Sequence, residues 1–381
     1  MNQVSPFIIE TSDQEIADLK LRLAMTRWPD KETPADWSQG IPLAYMKELK
    51  DYWESDYNWP ERLAKINQWP GYTTELQGLN IHFLHIKSKH AEARPLLMTH
   101  GWPGSIIEFQ KVISPLTDPV SHGGQAAEAF HLILPSLPGF GYSEKPSQPG
   151  WGIEKIAAAW DELMVGLGYP KYLAQGGDWG SIVTTAIATQ NLGHCQGIHV
   201  TMPMAPPDPD TMNDLSELEQ ECLATYQFYQ ESDSGYSKQQ STRPQTLGYG
   251  LADSPIGQAG WIIEKFYQWM DCQGHPENIV SRDELLDNVM MYWLPGAAAS
   301  SARIYWESFG RNQQMQPAVE IPVGTSIFPK EIFKTSERWA KKRFKQLVYF
   351  NVLNTGGHFA AFEQPETFVS ELRKCFARIE Y

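Results

Sequence analysis

The sequence predicts a mostly parallel, doubly wound α/β sheet with a helical N-terminal extension and a long helical insertion. Strand-like and helix-like segments alternate from residue 79 to residue 203, the alternation stops at about residue 205, and strands resume at residue 320. Alternation of strands and helices is typical of parallel sheets. The length of 381 residues fits one full-sized domain that carries an extension or an insertion.

The first 75 residues are rich in tryptophan and carry helical patterns. Apolar side chains recur at helical spacing in residues 12–27, 43–56 and 60–68, and the first of these runs begins with a capping Ser or Asp. We therefore expect residues 1–75 to form a helical extension that packs on the rest of the chain.

The alternating region consists of short apolar runs separated by longer amphipathic stretches. Strand-like runs lie in residues 79–86, 94–104, 129–141, 171–177 and 197–203, and helix-like stretches lie in residues 105–116 and 153–167 and begin again at Trp179. We expect residues 76–204 to form the first part of an α/β core.

The next hundred residues interrupt this core. From about residue 205 to residue 310 the chain is rich in Asp, Gln and Met and reads as helices joined by loops, most clearly in residues 261–270 and 282–294. Strands then return in residues 320–329 and 346–353. We expect residues 205–310 to form a helical cap and residues 311–381 to complete the core.

Charge and cysteine usage exclude several classes of partner. The net charge of −14 and the lack of clustered Lys and Arg argue against a nucleic acid ligand. The four cysteines are far apart and lack metal-site spacing, so we expect reduced, buried thiols; they are Cys195, Cys222, Cys272 and Cys375.

The sequence has no signal for secretion or membrane insertion. No basic segment followed by an apolar one opens the chain, and no run approaches about 20 apolar residues. We expect a soluble, cytoplasmic protein.

The stretch AQGGDWGSIV, residues 174–183, has the form of a strand, a sharp turn and a helix. Glycines on both sides of Asp178 allow the backbone to approach closely around a strained residue, as at the turn that presents the nucleophile of many hydrolases. Asp178 is therefore a candidate nucleophile. The alternative is an ordinary left-handed turn with a helix-capping Asp.

A second motif, HGWPGS at residues 100–105, follows a strand and can point a backbone N–H at the same place. The amides of Trp102 and Trp179 would together form an oxyanion hole beside Asp178. We expect His100 to be a hydrogen-bonded structural histidine. The Trp102-Pro103 bond is a candidate cis peptide.

A third motif supplies a candidate general base. His358 alone among the ten histidines combines the end of a late strand with a glycine-flanked loop, TGGHFAAFEQPE. Glu331 follows the carboxyl end of the preceding strand and is the preferred acidic partner. Asp208 or Asp210 is the weaker option. The chain order of nucleophile, acid and histidine is that of α/β-hydrolases.

These motifs together resemble the epoxide hydrolases of the α/β-hydrolase fold, in the branch of the microsomal and juvenile-hormone enzymes. The resemblance covers nearly the whole chain and is carried by HGWPGS, LPGFGYS (137–143), GGDWGS (176–181), SGY (234–236), DSPIG (253–257), SSARIY (300–305), FPKE (328–331) and GGHFAAFEQPE (356–366). It implies the α/β-hydrolase fold with the extension and cap described above.

The resemblance also implies roles for individual residues. Asp178 corresponds to the nucleophile, His358 to the base and Glu331 to its charge partner, and Tyr236 and Tyr305 correspond to the cap tyrosines that hold the epoxide oxygen. Periodicity alone would not have selected these two tyrosines from sixteen. The implied reaction converts an apolar or aromatic epoxide and water into a vicinal diol and needs no metal or organic cofactor.

Two other functions stay open at this point. A haloalkane-type dehalogenase would use the same Asp nucleophile but favours N–H donors for the departing halide, and a non-catalytic protein of the same fold would only bind an apolar ligand. The chain starts just before the N-terminal extension, so we expect no membrane anchor. The sequence leaves both a monomer and a homodimer open.

Overall fold

A mostly parallel sheet forms the centre of the computed structural model, which describes residues 3–309 and 317–381. The strands within these residues are β1 (Ser5–Phe7), β2 (Gly71–Leu76), β3 (Leu79–Ile86), β4 (Arg94–Thr99), β5 (Phe130–Pro135), β6 (Tyr172–Gly176), β7 (Cys195–Val200), β8 (Val319–Ile327) and β9 (Phe344–Val352). Their order in the sheet is β1-β2-β3-β5-β4-β6-β7-β8-β9. The pairs β1·β2, β2·β3 and β3·β5 are antiparallel. All the pairs on the other side of β5 in this order, as far as β9, are parallel. The predicted fold class is confirmed.

Helices cover the sheet and fill the long connection between β7 and β8. They are α1 (Asp13–Ala24), α2 (Leu43–Ser55), α3 (Trp59–Ile66), α4 (Gln110–Thr117), α5 (Ile153–Gly166), α6 (Asp178–Gln190), α7 (Glu217–Phe228), α8 (Gly235–Thr242), α9 (Pro244–Asp253), α10 (Pro255–Trp269), α11 (Arg282–Trp293), α12 (Ala298–Phe309), α13 (Glu337–Arg343), α14 (Ala360–Glu363) and α15 (Pro365–Phe376). We call α7 to α12 the helical insertion. The predicted boundary at residues 310 and 311 lies outside the described residues. Within the described ranges, no helix has both the length and the apolar character needed to cross a bilayer.

The N-terminal region departs from the prediction. We expected the first 75 residues to be helical, but β1 and β2 form two antiparallel strands at the edge of the sheet, with Ser5 opposite Thr73. Three residues are too few for β1 to show a period of two. In β2, Tyr72, Thr73 and Thr74 favour a strand, and pairing with β3 stabilises it.

The central strands explain why the site lies where it does. Every residue of β6 is buried, and β4 is buried except for its first residue, as expected for parallel strands covered on both faces. Helix α6 packs on β4, β6 and β7, and α15 packs on β7, β8 and β9. Because the carboxyl ends of parallel strands lie at the same edge, the loops after β4, β6, β8 and β9 meet there.

A buried ion pair attaches the N-terminal extension to the helical insertion. Arg62 on α3 donates from Nε to both carboxylate oxygens of Asp287 on α11, each at 3.0 Å. Tyr57 donates its hydroxyl hydrogen to the same carboxylate at 2.9 Å. Burial raises the pKa of Asp287, and Arg62 opposes that shift. Only 1% of the Asp287 side chain is exposed, and Arg62 stabilises the charged form of its carboxylate.

Replacing Arg62 with Met should destabilise the protein strongly, because it leaves a buried carboxylate without its cation. We expect the free energy of unfolding, measured by urea denaturation at pH 7, to fall by about 3 kcal/mol. Lys65→Met on the same helix is the matched control. Lys65 makes an exposed pair with Glu61, so this change should cost about 0.5 kcal/mol or less. Equal losses in the two variants would contradict the anchoring role of Arg62.

Candidate active site

Asp178 occupies a strained turn between β6 and α6. Its φ is +49°, in the left-handed region that non-glycine residues rarely adopt. The close packing around it depends on two glycines. A Cβ on Gly180 would lie 1.8 Å from the carbonyl oxygen of Thr99, and a Cβ on Gly101 would lie 2.1 Å from Oδ1 of Asp178. A side chain at Gly101 would therefore displace the carboxylate, and one at Gly180 would push the end of β4 away from α6.

The two oxygens of the Asp178 carboxylate have different neighbours. The backbone N–H of Trp102 donates to Oδ1 at 2.8 Å, and Oδ2 lies 3.2 Å from Nε2 of His358. Asp178 is also the first residue of α6, where the positive end of the helix dipole favours a negative charge. Trp179 follows as the second residue of the helix. The carboxylate is thus buried, oriented and charge-stabilised.

Glu331 completes a chain of three charged groups. Its Oε1 lies 2.7 Å from Nδ1 of His358 and accepts the N–H of Ile332 at 2.6 Å. Burial alone would lower the pKa of His358, but the Glu331 and Asp178 carboxylates outweigh it and hold that pKa well above its usual value. The ring therefore carries a proton while both neighbours are ionised.

The structure brings neither alternative acid to His358. Asp208 pairs with Lys342 at 3.0 Å and accepts the backbone N–H of Asp210 at 3.2 Å. Asp210 itself is exposed. Of the three acids considered as its partner, Glu331 is therefore the one that contacts Nδ1 of His358.

The loop that carries His358 is tied to the helical insertion. The backbone N–H of His358 donates to the carbonyl oxygen of Trp269 at 3.0 Å, and that of Gly356 donates to Oδ2 of Asp271 at 3.0 Å. Glu363 accepts the N–H of Asp271 at 2.8 Å. These bonds fix the imidazole relative to the residues above the sheet edge.

Tyr236 on α8 and Tyr305 on α12 are both buried beside the proposed oxyanion-hole residues. The Tyr236 ring stacks on Trp102 at 5.0 Å, and the edge-on contact of Tyr305 with Trp179 measures 4.7 Å between centroids. Among the described residues, the Tyr305 hydroxyl has no hydrogen-bond partner. Burial, with the charge of Asp178 adding to it, holds the pKa of both phenols well above 10. Both hydroxyls are therefore protonated donors at neutral pH.

A cavity of about 380 Å³ brings these groups together, which is within the usual size range of small-molecule sites. Asp178, Tyr236 and Tyr305 line it. Most of the other lining side chains are apolar or aromatic; they include Trp179, Ile182, Met202, Met204, Tyr226, Tyr229, Phe309, Ile332 and Phe333. The cavity can thus hold an apolar molecule against one carboxylate and two phenol hydroxyls.

Comparison with known proteins agrees with this arrangement. The family described as "Epoxide hydrolase N terminus" matches residues 4–109, and the one described as "alpha/beta hydrolase fold" matches residues 94–245. A Stigmatella aurantiaca protein that carries an epoxide hydrolase name is 53% identical over 99% of this chain and 85% of its own length. This chain belongs to the epoxide hydrolase family.

Solved structures of epoxide hydrolases have the same fold. The Aspergillus niger enzyme superposes with a TM-score of 0.89 at 30% identity and covers 100% of this chain and 97% of its own. The juvenile hormone epoxide hydrolase of the silkworm Bombyx mori superposes with a TM-score of 0.88 at 30% identity, over 98% of this chain and 94% of its own. The resemblance stated from sequence motifs is confirmed.

Three smaller predictions about this epoxide hydrolase are also confirmed. His100 is buried, its Nδ1 lies 2.9 Å from the Gly101 carbonyl oxygen, and burial lowers its pKa to about 4, so it is a neutral structural residue. The Trp102-Pro103 peptide is cis. The four cysteines are free and buried.

Sequence reasoning missed a buried carboxyl group beside the site. Oε1 of Glu108 is buried without a hydrogen-bond partner among the described residues and fills the space over Gly104, where a Cβ would come within 1.3 Å of it. Burial raises the pKa of Glu108 to about 8, although His358 opposes the shift. Glu108 follows HGWPGS in a short 3-10 helix, and no spacing signal marks its burial.

Glu108→Gln should make the protein more stable at alkaline pH. The folded-state pKa of Glu108 lies above its unfolded value, so unfolding releases a proton and the stability of the wild type falls as pH rises from about 4.5 to about 8. The amide side chain of the Glu108→Gln variant is neutral at every pH, so the variant does not lose stability in this way. We expect the two proteins to be alike at pH 4 and the variant to lead by about 4 kcal/mol at pH 8 in urea denaturation. A difference that does not change with pH would contradict the shifted pKa.

Proposed function

We propose that this enzyme hydrolyses apolar and aromatic epoxides to vicinal diols through an alkyl ester on Asp178. One observation carries the proposal. One carboxylate and two buried phenols line the same cavity. The oxygens of the carboxylate contact a backbone amide and an imidazole. A carboxylate nucleophile and O–H donors for a ring oxygen are what epoxide opening requires.

In the first step, Oδ2 of Asp178 attacks an epoxide carbon while Oδ1 stays with the Trp102 amide. The carbon–oxygen bond of the ring breaks, and the electron pair goes to the ring oxygen. Tyr236 and Tyr305 donate hydrogen bonds to that oxygen, and one of them gives it a proton. The product of this step is a hydroxyalkyl ester of Asp178.

Ester formation prepares the second step by changing the charge around His358. The ester is neutral, so His358 loses one of the two carboxylates that hold its pKa high. The imidazolium then loses its proton to solvent, and the tyrosinate takes up a proton from solvent, so the net charge is unchanged and the phenol is restored. Neutral His358 can now act as a base, and Glu331 orients its ring through Nδ1.

Water completes the cycle by attacking the carbonyl carbon of the ester. His358 takes a proton from this water, and negative charge develops on Oδ1, where the Trp102 and Trp179 amides stabilise it. The bond between that carbon and Oδ2 then breaks, and the departing alkoxide takes up the second proton of the water. The diol leaves, and Asp178 is again a carboxylate and His358 again protonated. The proposed steps use only side chains, backbone amides and water.

This pathway explains why an aspartate replaces the serine of other hydrolases. A serine that opened an epoxide would leave an ether, whose carbon offers water no polarised carbonyl group. A carboxylate leaves an ester, which water activated by His358 can hydrolyse. The apolar lining of the cavity favours alkyl and aryl substituents on the epoxide.

A parallel assay with styrene oxide and 1-bromobutane separates epoxide hydrolysis from dehalogenation. We expect 1-phenylethane-1,2-diol from styrene oxide and no bromide release above the buffer rate, because the two tyrosine O–H groups suit an epoxide oxygen. Asp178→Ala should form no diol, which controls for contaminating activity. Bromide release without diol formation would overturn the proposal.

A further inference from the structure

A buried ion pair lies beside Tyr236, and the reaction described above does not use it. Nζ of Lys265 on α10 donates to Oδ1 of Asp233 at 2.6 Å. The side chains of both residues are less than 10% exposed. Asp233 ends a π-helical turn, Tyr229–Asp233, and such turns often occur at functional sites. Burying an ammonium group is costly, so its position calls for an explanation.

The ammonium group of Lys265 lies over the aromatic ring of Tyr236. Its Nζ is 4.9 Å from the ring centroid, and the indole of Trp102 stacks on the same phenol at 5.0 Å and 10°. A desolvated cation over an aromatic ring is attracted to it and stabilises negative charge that develops on it. The hydroxyl itself contacts the Tyr229 hydroxyl at 3.2 Å.

The side chain of Trp269 connects this ion pair with His358. The indole N–H of Trp269 donates to Oδ2 of Asp233 at 2.6 Å. The Trp269 ring packs edge-on against Tyr236 at 5.2 Å and against His358 at 4.9 Å. Asp233 therefore holds both the lysine and the tryptophan that pack on Tyr236.

We propose that Lys265 is a positioning residue for Tyr236, whose buried ammonium fixes the phenol ring and strengthens its hydroxyl as a donor during ring opening. As the Tyr236 hydroxyl gives its proton to the epoxide oxygen, negative charge develops on the phenol beneath the Lys265 ammonium. Lys265 keeps its own protons throughout. This inference rests on the proposed function, because it assigns Tyr236 to the opening step.

Two carboxylates contact the ammonium group of Lys265. Glu264, on the same helix, lies 2.9 Å from Nζ of Lys265 and is 25% exposed, whereas Asp233 is 6% exposed. Both carboxylates pair with the ammonium of Lys265. Of these three charged groups, the ammonium is the one that lies over the Tyr236 ring. Removing the lysine therefore removes the cation from the phenol, and removing Asp233 as well avoids leaving a buried carboxylate unpaired.

Lys265→Met tests the inference in single-turnover experiments with excess enzyme and styrene oxide. Rapid quenching followed by mass spectrometry measures formation and decay of the ester on Asp178. We expect ester formation to slow about tenfold, while ester decay stays within about twofold, because His358, Glu331 and the oxyanion hole are untouched. A purely structural role would slow both steps.

The double variant Lys265→Met/Asp233→Asn is the control for the unpaired carboxylate and serves in place of the single variant if that one does not fold. We expect slow ester formation to persist in it, because the cation is still missing. Recovery of the wild-type rate of ester formation would show that the unpaired Asp233 caused the loss and would overturn the inference.

A double-mutant cycle separates this inference from the proposed function. Tyr236→Phe alone should slow ester formation, with Tyr305 left as the remaining donor. In that background, Lys265→Met should have an effect below about twofold, because the hydroxyl on which it acts is gone. An equal slowing with and without the Tyr236 hydroxyl would overturn the inference alone. No slowing by Tyr236→Phe would overturn the proposed role of Tyr236 itself.

Discussion

The contact between the Asp178 carboxylate and the protonated ring of His358 is the interaction on which the rest of the site depends. It measures 3.2 Å and requires Asp178 to remain in a left-handed conformation at the start of α6. Such strain persists only where surrounding structure enforces it. The enforcement comes from Gly101 and Gly180, which let the strand ends close on the turn, and from the Trp102 amide that holds the other oxygen.

Charge at this edge of the sheet is arranged as carboxylate, imidazolium and carboxylate. The proposed esterification of Asp178 would change this arrangement, because His358 would then have one carboxylate neighbour in place of two. In the proposed reaction the same carboxylate acts first as a nucleophile and then, by losing its charge, allows His358 to act as a base. Burial amplifies each of these interactions, since charges in a protein interior are screened far less than in water.

The helical insertion supplies what the α/β core lacks. The core provides Asp178, Glu331, His358 and the Trp102 amide from the ends of four strands. The insertion provides the phenols and also binds the histidine loop through the carbonyl oxygen of Trp269. The proposed donors and the proposed base are therefore held by one set of helices, and the ion pair between Lys265 and Asp233 lies within that set.

Much of this architecture could be predicted from the sequence, for reasons that particular residues make clear. Asp178, His358 and Glu331 follow strand ends, and glycine directly precedes Asp178 and His358, so local pattern selects them. Tyr236 and Tyr305 came only from family resemblance, because the approach of α8 and α12 to the sheet edge is a tertiary event. The short strand β1 has too few residues for a period, and the burial of Glu108 and Lys265 depends on packing that no spacing encodes.

The most direct test of the account is to stop the reaction after its first step. His358→Gln keeps the nucleophile, the Trp102 amide and both phenols but removes the base. After incubation with styrene oxide, intact-protein and peptide mass spectra should show one added styrene oxide on the peptide that contains Asp178, with no turnover to diol. Absence of this adduct, or an adduct on another residue, would contradict nucleophilic attack by Asp178.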